Sequence, residues 1–166
     1  MALNLPGSSS PFVLDTSVLR LLIDQRQQKE HPNGVARVSS VIAEHGICLA
    51  ELTYYELRRG LEHLSLQKHK LKDVALGFGL LGTAEILPFT GRDRWDLAAS
   101  RWAQLRQAGI TLGENDFIIL LTAMWHGRRL LTRDGQLVSN LGAAGPEYSN
   151  AVEFLALEPA GSAGPT

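Results

Sequence analysis

The chain has 166 residues, of which 45% are hydrophobic and 20% are charged, as is usual for an ordinary globular domain. Its formal net charge of −1 excludes a global attraction to nucleic acid, although a local basic surface remains compatible with it. Cys48 is the only cysteine, which excludes an intramolecular disulfide and favours a reducing cytoplasm. The histidines show no zinc-ligand spacing, and no segment approaches the ~18 consecutive apolar residues of a membrane span.

We expect one domain between residues 11 and 157, flanked by loose ends. Residues 1–10 contain neither a basic segment nor an apolar segment of the kind found in signal peptides, and we expect a flexible extension there. Residues 158–166, with the sequence EPAGSAGPT, are rich in glycine, alanine and proline, a composition that predicts a disordered tail.

Short apolar runs and periodic segments alternate along the chain. The apolar runs predict strands at 12–14, 47–50, 84–89 and 129–132, with a fifth, short strand within 151–157. The segments between them predict helices at 17–28, 35–45, 51–66, 68–76, 93–108 and 117–126. Strands that alternate with helices favour an α/β fold with a mainly parallel central sheet.

Four acidic residues occupy positions where such a fold binds ligands. Asp15 follows the first strand, Asp134 follows the fourth, and Asp116 begins the apolar helix of GENDFIILLTA. Ligands of open α/β sheets bind at the carboxyl ends of the strands, and right-handed crossovers bring those ends to one edge. We therefore expect these three carboxylates to meet at that edge, with Glu56 of LAELTYYELRRG as a fourth candidate.

Each acid also has an ordinary structural interpretation. Asp15 and Asp116 suit helix N-caps, Glu56 suits an ion pair with Arg59, and Asp134 precedes glycine in a common turn dipeptide. Clustered carboxylates, however, repel one another unless a cation neutralises them. A hard divalent ion accepts carboxylate and phosphate oxygens and promotes in-line phosphoryl displacement. Because the chain has no glycine-rich phosphate loop and no nucleophile elbow, metal-assisted phosphodiester hydrolysis fits these residues best.

Four segments occur along the chain in the order VLDTSVL, TYYELRRG, GENDFIILLTA and LLTRDGQL. Together they resemble the PIN-domain ribonucleases and, within them, the VapC-type toxins of bacterial toxin–antitoxin pairs. The resemblance runs from about Phe12 to Leu157 and implies a three-layer α/β/α sandwich around a sheet of about five strands. It further implies Mg²⁺ or Mn²⁺ at an acidic site, endonucleolytic cleavage of an RNA substrate, and inhibition by a small antitoxin. We also expect a homodimer.

The resemblance assigns catalytic and metal-binding roles to four acids: Asp15, Glu56, Asp116 and Asp134. It gives supporting roles to two hydroxyls, that of Ser17 in the DTS triplet and that of Thr132 in LLTRD. We interpret Asn115 as a solvated loop residue. For Arg133, a contact with a phosphate and an ion pair beside the acidic site both remain open. The tryptophans are expected in the core or at a dimer interface.

Three other functions compete with this interpretation. A catalytically inactive PIN-like module that binds RNA or a protein is the alternative, against which the intact set of acids argues. Phosphatases of the haloacid-dehalogenase type carry a second aspartate two residues after the first, whereas Ser17 stands at that position here. A receiver domain needs an acidic pair near the first strand and a lysine that the pattern does not supply.

Overall fold

The computed structural model describes residues 11–157. The predicted flexible extension at 1–10 and the predicted disordered tail at 158–166 lie outside these residues, and the single-domain boundary remains a prediction. The strands within the described range are β1 (Phe12–Leu14), β2 (Cys48–Ala50), β3 (Glu85–Leu87), β4 (Arg129–Thr132) and β5 (Val152–Phe154). The helices there are α1 (Thr16–Ile23), α2 (Gln25–Glu30), α3 (Pro32–His45), α4 (Glu51–Leu66), α5 (Leu71–Thr83), α6 (Arg92–Gln107), α7 (Glu114–Trp125), α8 (Gly135–Ala144) and α9 (Pro146–Ser149). None of these helices has the length and apolar character needed to cross a membrane.

The strands pair in parallel but form two hydrogen-bonded groups. β4 lies between β1 and β5, while β2 pairs with β3 alone. β1 and β2 lie side by side, but within residues 11–157 no ladder of hydrogen bonds joins them. The predicted α/β class with parallel strands is therefore confirmed, whereas the prediction of one sheet of about five strands is wrong, since the main sheet has three. Strands of three or four residues share few ladder bonds, so the twist between neighbours is enough to interrupt the pairing.

The strands separate two hydrophobic cores, and this gives the fold its three layers. Successive residues of a strand point to opposite faces, so Val13 packs in one core while Phe12 and Leu14 pack in the other. Leu130 and Leu131 divide in the same way. Helices α6, α7 and α8 cover the first core, and α1, α3, α4 and α5 cover the second. Burial on both faces explains why the strands read as apolar runs in the sequence.

Helices α2 and α8 differ from the sequence predictions. The helix predicted at 17–28 is divided at Asp24, whose side chain accepts two backbone N–H groups and caps α2. Helix α8 was not predicted, because Asp134-Gly135 was interpreted as a turn. Asp134 instead caps α8, so a helix begins directly after β4.

Candidate active site

Asp15 lies where β1 ends and α1 begins, and its carboxylate is almost fully buried. One oxygen accepts the backbone N–H of Thr16 at 2.7 Å. The other accepts the hydroxyls of Ser17 at 2.6 Å and Thr132 at 2.7 Å. Each hydroxyl oxygen in turn accepts a backbone N–H, at 3.1 Å, from the two residues that follow Thr132. These N–H groups orient the hydroxyls so that their protons are donated to Asp15, which holds the carboxylate in place.

Glu56 reaches the same edge from α4. Its carboxylate accepts the Thr16 hydroxyl at 3.2 Å and the side-chain amide of Asn115 at 2.7 Å. Asn115 is exposed, as expected, but it lies in the first turn of α7 rather than in a loop, and it binds Glu56. Its place beside Asp116 in the sequence was the available signal. Glu56 also does not form the ion pair considered with Arg59, whose guanidinium lies over the Tyr55 ring, 5.4 Å from its centroid.

Asp134 performs a structural task at this edge as well. Its Oδ1 accepts the backbone N–H groups of Gln136 at 2.9 Å and Leu137 at 3.0 Å, and so caps α8. Its Oδ2 takes no part in the cap. A carboxylate of this kind can stabilise a helix with one oxygen and still present the other to a ligand.

Asp116 does not cap its helix. α7 begins at Glu114 rather than at Phe117, and Gly113 is the N-cap residue. The capping interpretation of Asp116 is therefore wrong. Gly113 also leaves the space that the carboxylate occupies, because a Cβ atom at Gly113 would lie 2.6 Å from Asp116 Oδ2.

The pKa of Asp116 shows that the four acids lie near one another. The pKa of Asp116 is raised from 3.8 to about 6, first by burial and then by the negative charges of Asp15, Asp134 and Glu56, in that order. All three other carboxylates thus lie within electrostatic range of Asp116. No lysine or arginine of the described chain forms a salt bridge with any of the four.

The donor set at this edge suits a hard divalent cation. Neighbouring carboxylates that form no salt bridge with a basic side chain repel one another and gain free energy from a bound cation. As the side chains stand, residues 11–157 contain no group of three or more acidic, histidine or cysteine side chains that converges on a single metal position. Mg²⁺ commonly takes one or two carboxylates and completes its coordination with water, so this arrangement still fits such an ion.

Open clefts border the acids on several sides. A cavity of about 520 Å³ between the α6–α7 loop and α8 is lined by Asp116 and Asp134. A second cavity, of about 330 Å³, lies between α1, α4 and α5 and is lined by Glu56 and Lys70. A third, of about 360 Å³, is lined by Ser17 and Asp134. The acids are therefore accessible to a ligand from more than one side.

A family model for the PIN domain matches residues 12–140 of the chain. This span covers more than half of the sequence, and the chain belongs to the PIN domain family. No curated protein matches it.

Solved structures support the fold. A chain of VapBC2 from Rickettsia felis, bound to a DNA fragment from its promoter, is similar at a TM-score of 0.64 and 19% identity, over 86% of this chain and 97% of that chain. A chain of DNA-bound VapBC from Salmonella typhimurium is similar at a TM-score of 0.64 and 18% identity, over 87% and 98% respectively. FitAcB from Neisseria gonorrhoeae has a TM-score of 0.50 at 26% identity, over 78% and 92%. The expected PIN-like α/β/α sandwich is confirmed.

Proposed function

We propose that the protein is a metal-dependent endoribonuclease that hydrolyses RNA phosphodiester bonds at the four acids and acts as the toxin of a VapC-type toxin–antitoxin pair. The observation that carries the proposal is the half-buried Asp116, whose pKa is raised by burial and by three further carboxylates. A carboxylate destabilised in this way suggests a functional site, because groups with strongly perturbed pKa values cluster where chemistry occurs. Membership of the PIN domain family supports the nuclease class.

We assign metal binding to the four acids and their positioning to neighbouring polar groups. Asp15, Asp116, Asp134 and Glu56 are the proposed ligands of Mg²⁺ or Mn²⁺. Such an ion, when bound, supplies positive charge that favours attack on a phosphodiester. The hydroxyls of Ser17 and Thr132 hold Asp15, and Asn115 holds Glu56, so these groups are ordered before any substrate arrives. Preorganised ligands of this kind avoid the cost of rearrangement during the reaction.

The proposed partner is a small cognate antitoxin in the cytoplasm. The support is the likeness of this chain to chains of VapBC and FitAcB structures. The homodimer also remains a proposal. The surface we assign to it is the exposed side of α6 at Trp95, which is 51% exposed and lines an apolar cavity of about 290 Å³.

Incubation of the purified protein with single-stranded RNA and Mg²⁺ or Mn²⁺ tests the proposed function. Internal cleavage, read by mapping of new 5′ ends, is the expected result. Binding of RNA without cleavage under any divalent ion would contradict the proposal and favour the inactive PIN-like module.

Gly113→Ala is expected to lower RNA cleavage by about ten- to a hundredfold, because small displacements of a catalytic group have effects of that size. The backbone φ of Gly113 is −63°, which alanine adopts without strain. Its Cβ, however, would lie 2.6 Å from Asp116 Oδ2 and force that carboxylate to rotate away. The free energy of unfolding should change by less than ~1 kcal/mol.

Gly142→Ala in α8 is the matched control for this variant. A Cβ atom at Gly142 meets no atom within 4 Å, so alanine should leave cleavage unchanged and raise helix stability by up to ~1 kcal/mol. Cleavage rates and denaturant unfolding of both variants provide the comparison. Full activity of Gly113→Ala would mean that the position of Asp116 does not matter.

A further inference from the structure

Two arginines line the cavity of about 360 Å³ beside the acids. The lining residues are Ser17, Arg20, Asp24, Gln27, Arg133 and Asp134. The two acids in this set already have partners, since Asp24 accepts from Lys70 at 3.0 Å and Asp134 caps α8. Arg20 is exposed, and neither arginine forms a salt bridge within residues 11–157. The guanidinium groups of Arg20 and Arg133 are therefore paired with no carboxylate of the described chain in a salt bridge.

Arg133 is held by neutral groups only. Its Nη1 donates to the backbone carbonyl of Ser17 at 3.3 Å and to the side-chain carbonyl of Gln27 at 3.1 Å. Its Nε is buried and has no acceptor in the described part of the chain. The ion pair considered from the sequence is thus not formed. A buried N–H without an acceptor is uncommon in native proteins, and an incoming anion is one way to satisfy it.

We propose that Arg133 and Arg20 bind a backbone phosphate of the RNA that flanks the bond that is cut. This inference rests on the proposed function and assigns the interaction that holds the substrate. The guanidinium group matches phosphate oxygens with two parallel N–H donors, which a lysine ammonium does not.

The geometry links this phosphate position to the acids. The backbone carbonyl of Ser17 accepts from Arg133, while the hydroxyl of Ser17 donates to Asp15. One residue therefore orders both the cationic cavity and the carboxylate. Four acids repel a polyanion, and two cations at their border offset this repulsion without neutralising the acids themselves.

RNA binding by Arg20→Gln and Arg133→Gln tests the inference. Both changes are made in the Asp116→Asn protein so that the RNA stays intact, and the dissociation constant of a labelled single-stranded RNA is measured over a range of salt concentrations. We expect each variant to bind about tenfold more weakly. The slope of log affinity against log salt should fall by ~0.7, the value expected when a protein neutralises one phosphate fewer on a single strand.

Two further variants make the result specific. Arg92→Gln on α6 removes the same charge from a side chain that is 91% exposed and does not line the cavity, and it should leave affinity and slope unchanged. Arg133→Lys keeps the charge but not the planar donor pair, so it should recover the salt slope and only part of the affinity. If Arg133→Gln unfolds, the RNA affinity and salt slope of Arg20→Gln are sufficient for the test, because Arg20 is exposed and its replacement should not affect folding.

The outcomes separate this inference from the proposed function. If the parent cleaves RNA and both glutamine variants keep its affinity and slope, the phosphate site is wrong while the nuclease stands. If the parent cleaves nothing and the slope still falls, the phosphate site stands and the nuclease proposal fails. Equal losses in Arg92→Gln would also overturn the inference, because they would show a general charge effect.

Discussion

Replacement of Asp116 by asparagine is expected to lower RNA cleavage by ~100-fold or more while the protein remains folded. Loss of groups that only support a metal ligand costs ~10- to 100-fold in activity, so loss of a ligand's own charge should cost at least as much. Asparagine is nearly isosteric with aspartate, and Asp116 is not the N-cap of α7, so no cap is lost. A cleavage gel measures the effect, and parental rates in Asp116→Asn would remove this residue from the site.

The raised pKa of Asp116 predicts how the stability of the metal-free protein depends on pH, and the same variant tests this prediction. The pKa of Asp116 is raised to about 6 in the folded protein, so between that pH and its ordinary value of 3.8 the folded state binds more protons than the unfolded state. Ionisation of Asp116 therefore lowers the free energy of unfolding at neutral pH, and the free energy of unfolding rises again as the pH falls through 6. Melting curves of the parent should show this gain between pH 7 and pH 5, whereas Asp116→Asn should lose most of it.

Chelation of divalent ions is expected to stop RNA cleavage, and added Mg²⁺ or Mn²⁺ to restore it. The physical reason is the unneutralised negative charge at Asp116, which no lysine or arginine of the described chain balances with a salt bridge. Cleavage that continues undiminished in EDTA would contradict metal dependence.

Thermal melting gives a readout of metal binding that does not depend on activity. A ligand that binds only the folded state raises the melting temperature, so millimolar Mg²⁺ should stabilise the parent protein. Asp116→Asn should show a smaller rise, because one charged ligand and part of the repulsion are gone. A control at equal ionic strength with a monovalent salt separates binding from screening. An unmoved melting temperature in the parent would argue against a preformed cation site.

The elements with strong local signals were predictable from the sequence. The strand before Asp15 and helix α4 at 51–66 lie where the pattern placed them. The errors occurred where one signal has two structural meanings. Asp134 followed by glycine suits both a turn and a helix N-cap, and the helix that follows it was missed. The apolar run from Phe117 indicates a helix that starts there, so the polar first turn of α7, which begins at Glu114, was not predicted.

The sequence by itself determined which residues are chemically suited to the site, because residue type and position at the end of a strand are local properties. It placed Asp15 and Asp134 after strands that pair in parallel. Only the tertiary structure decided how these groups act on one another. Arg133 and Ser17 meet across 116 positions of the chain. The raised pKa of Asp116 and the absence of a carboxylate partner for Arg133 within residues 11–157 depend on such distances, which no local pattern encodes.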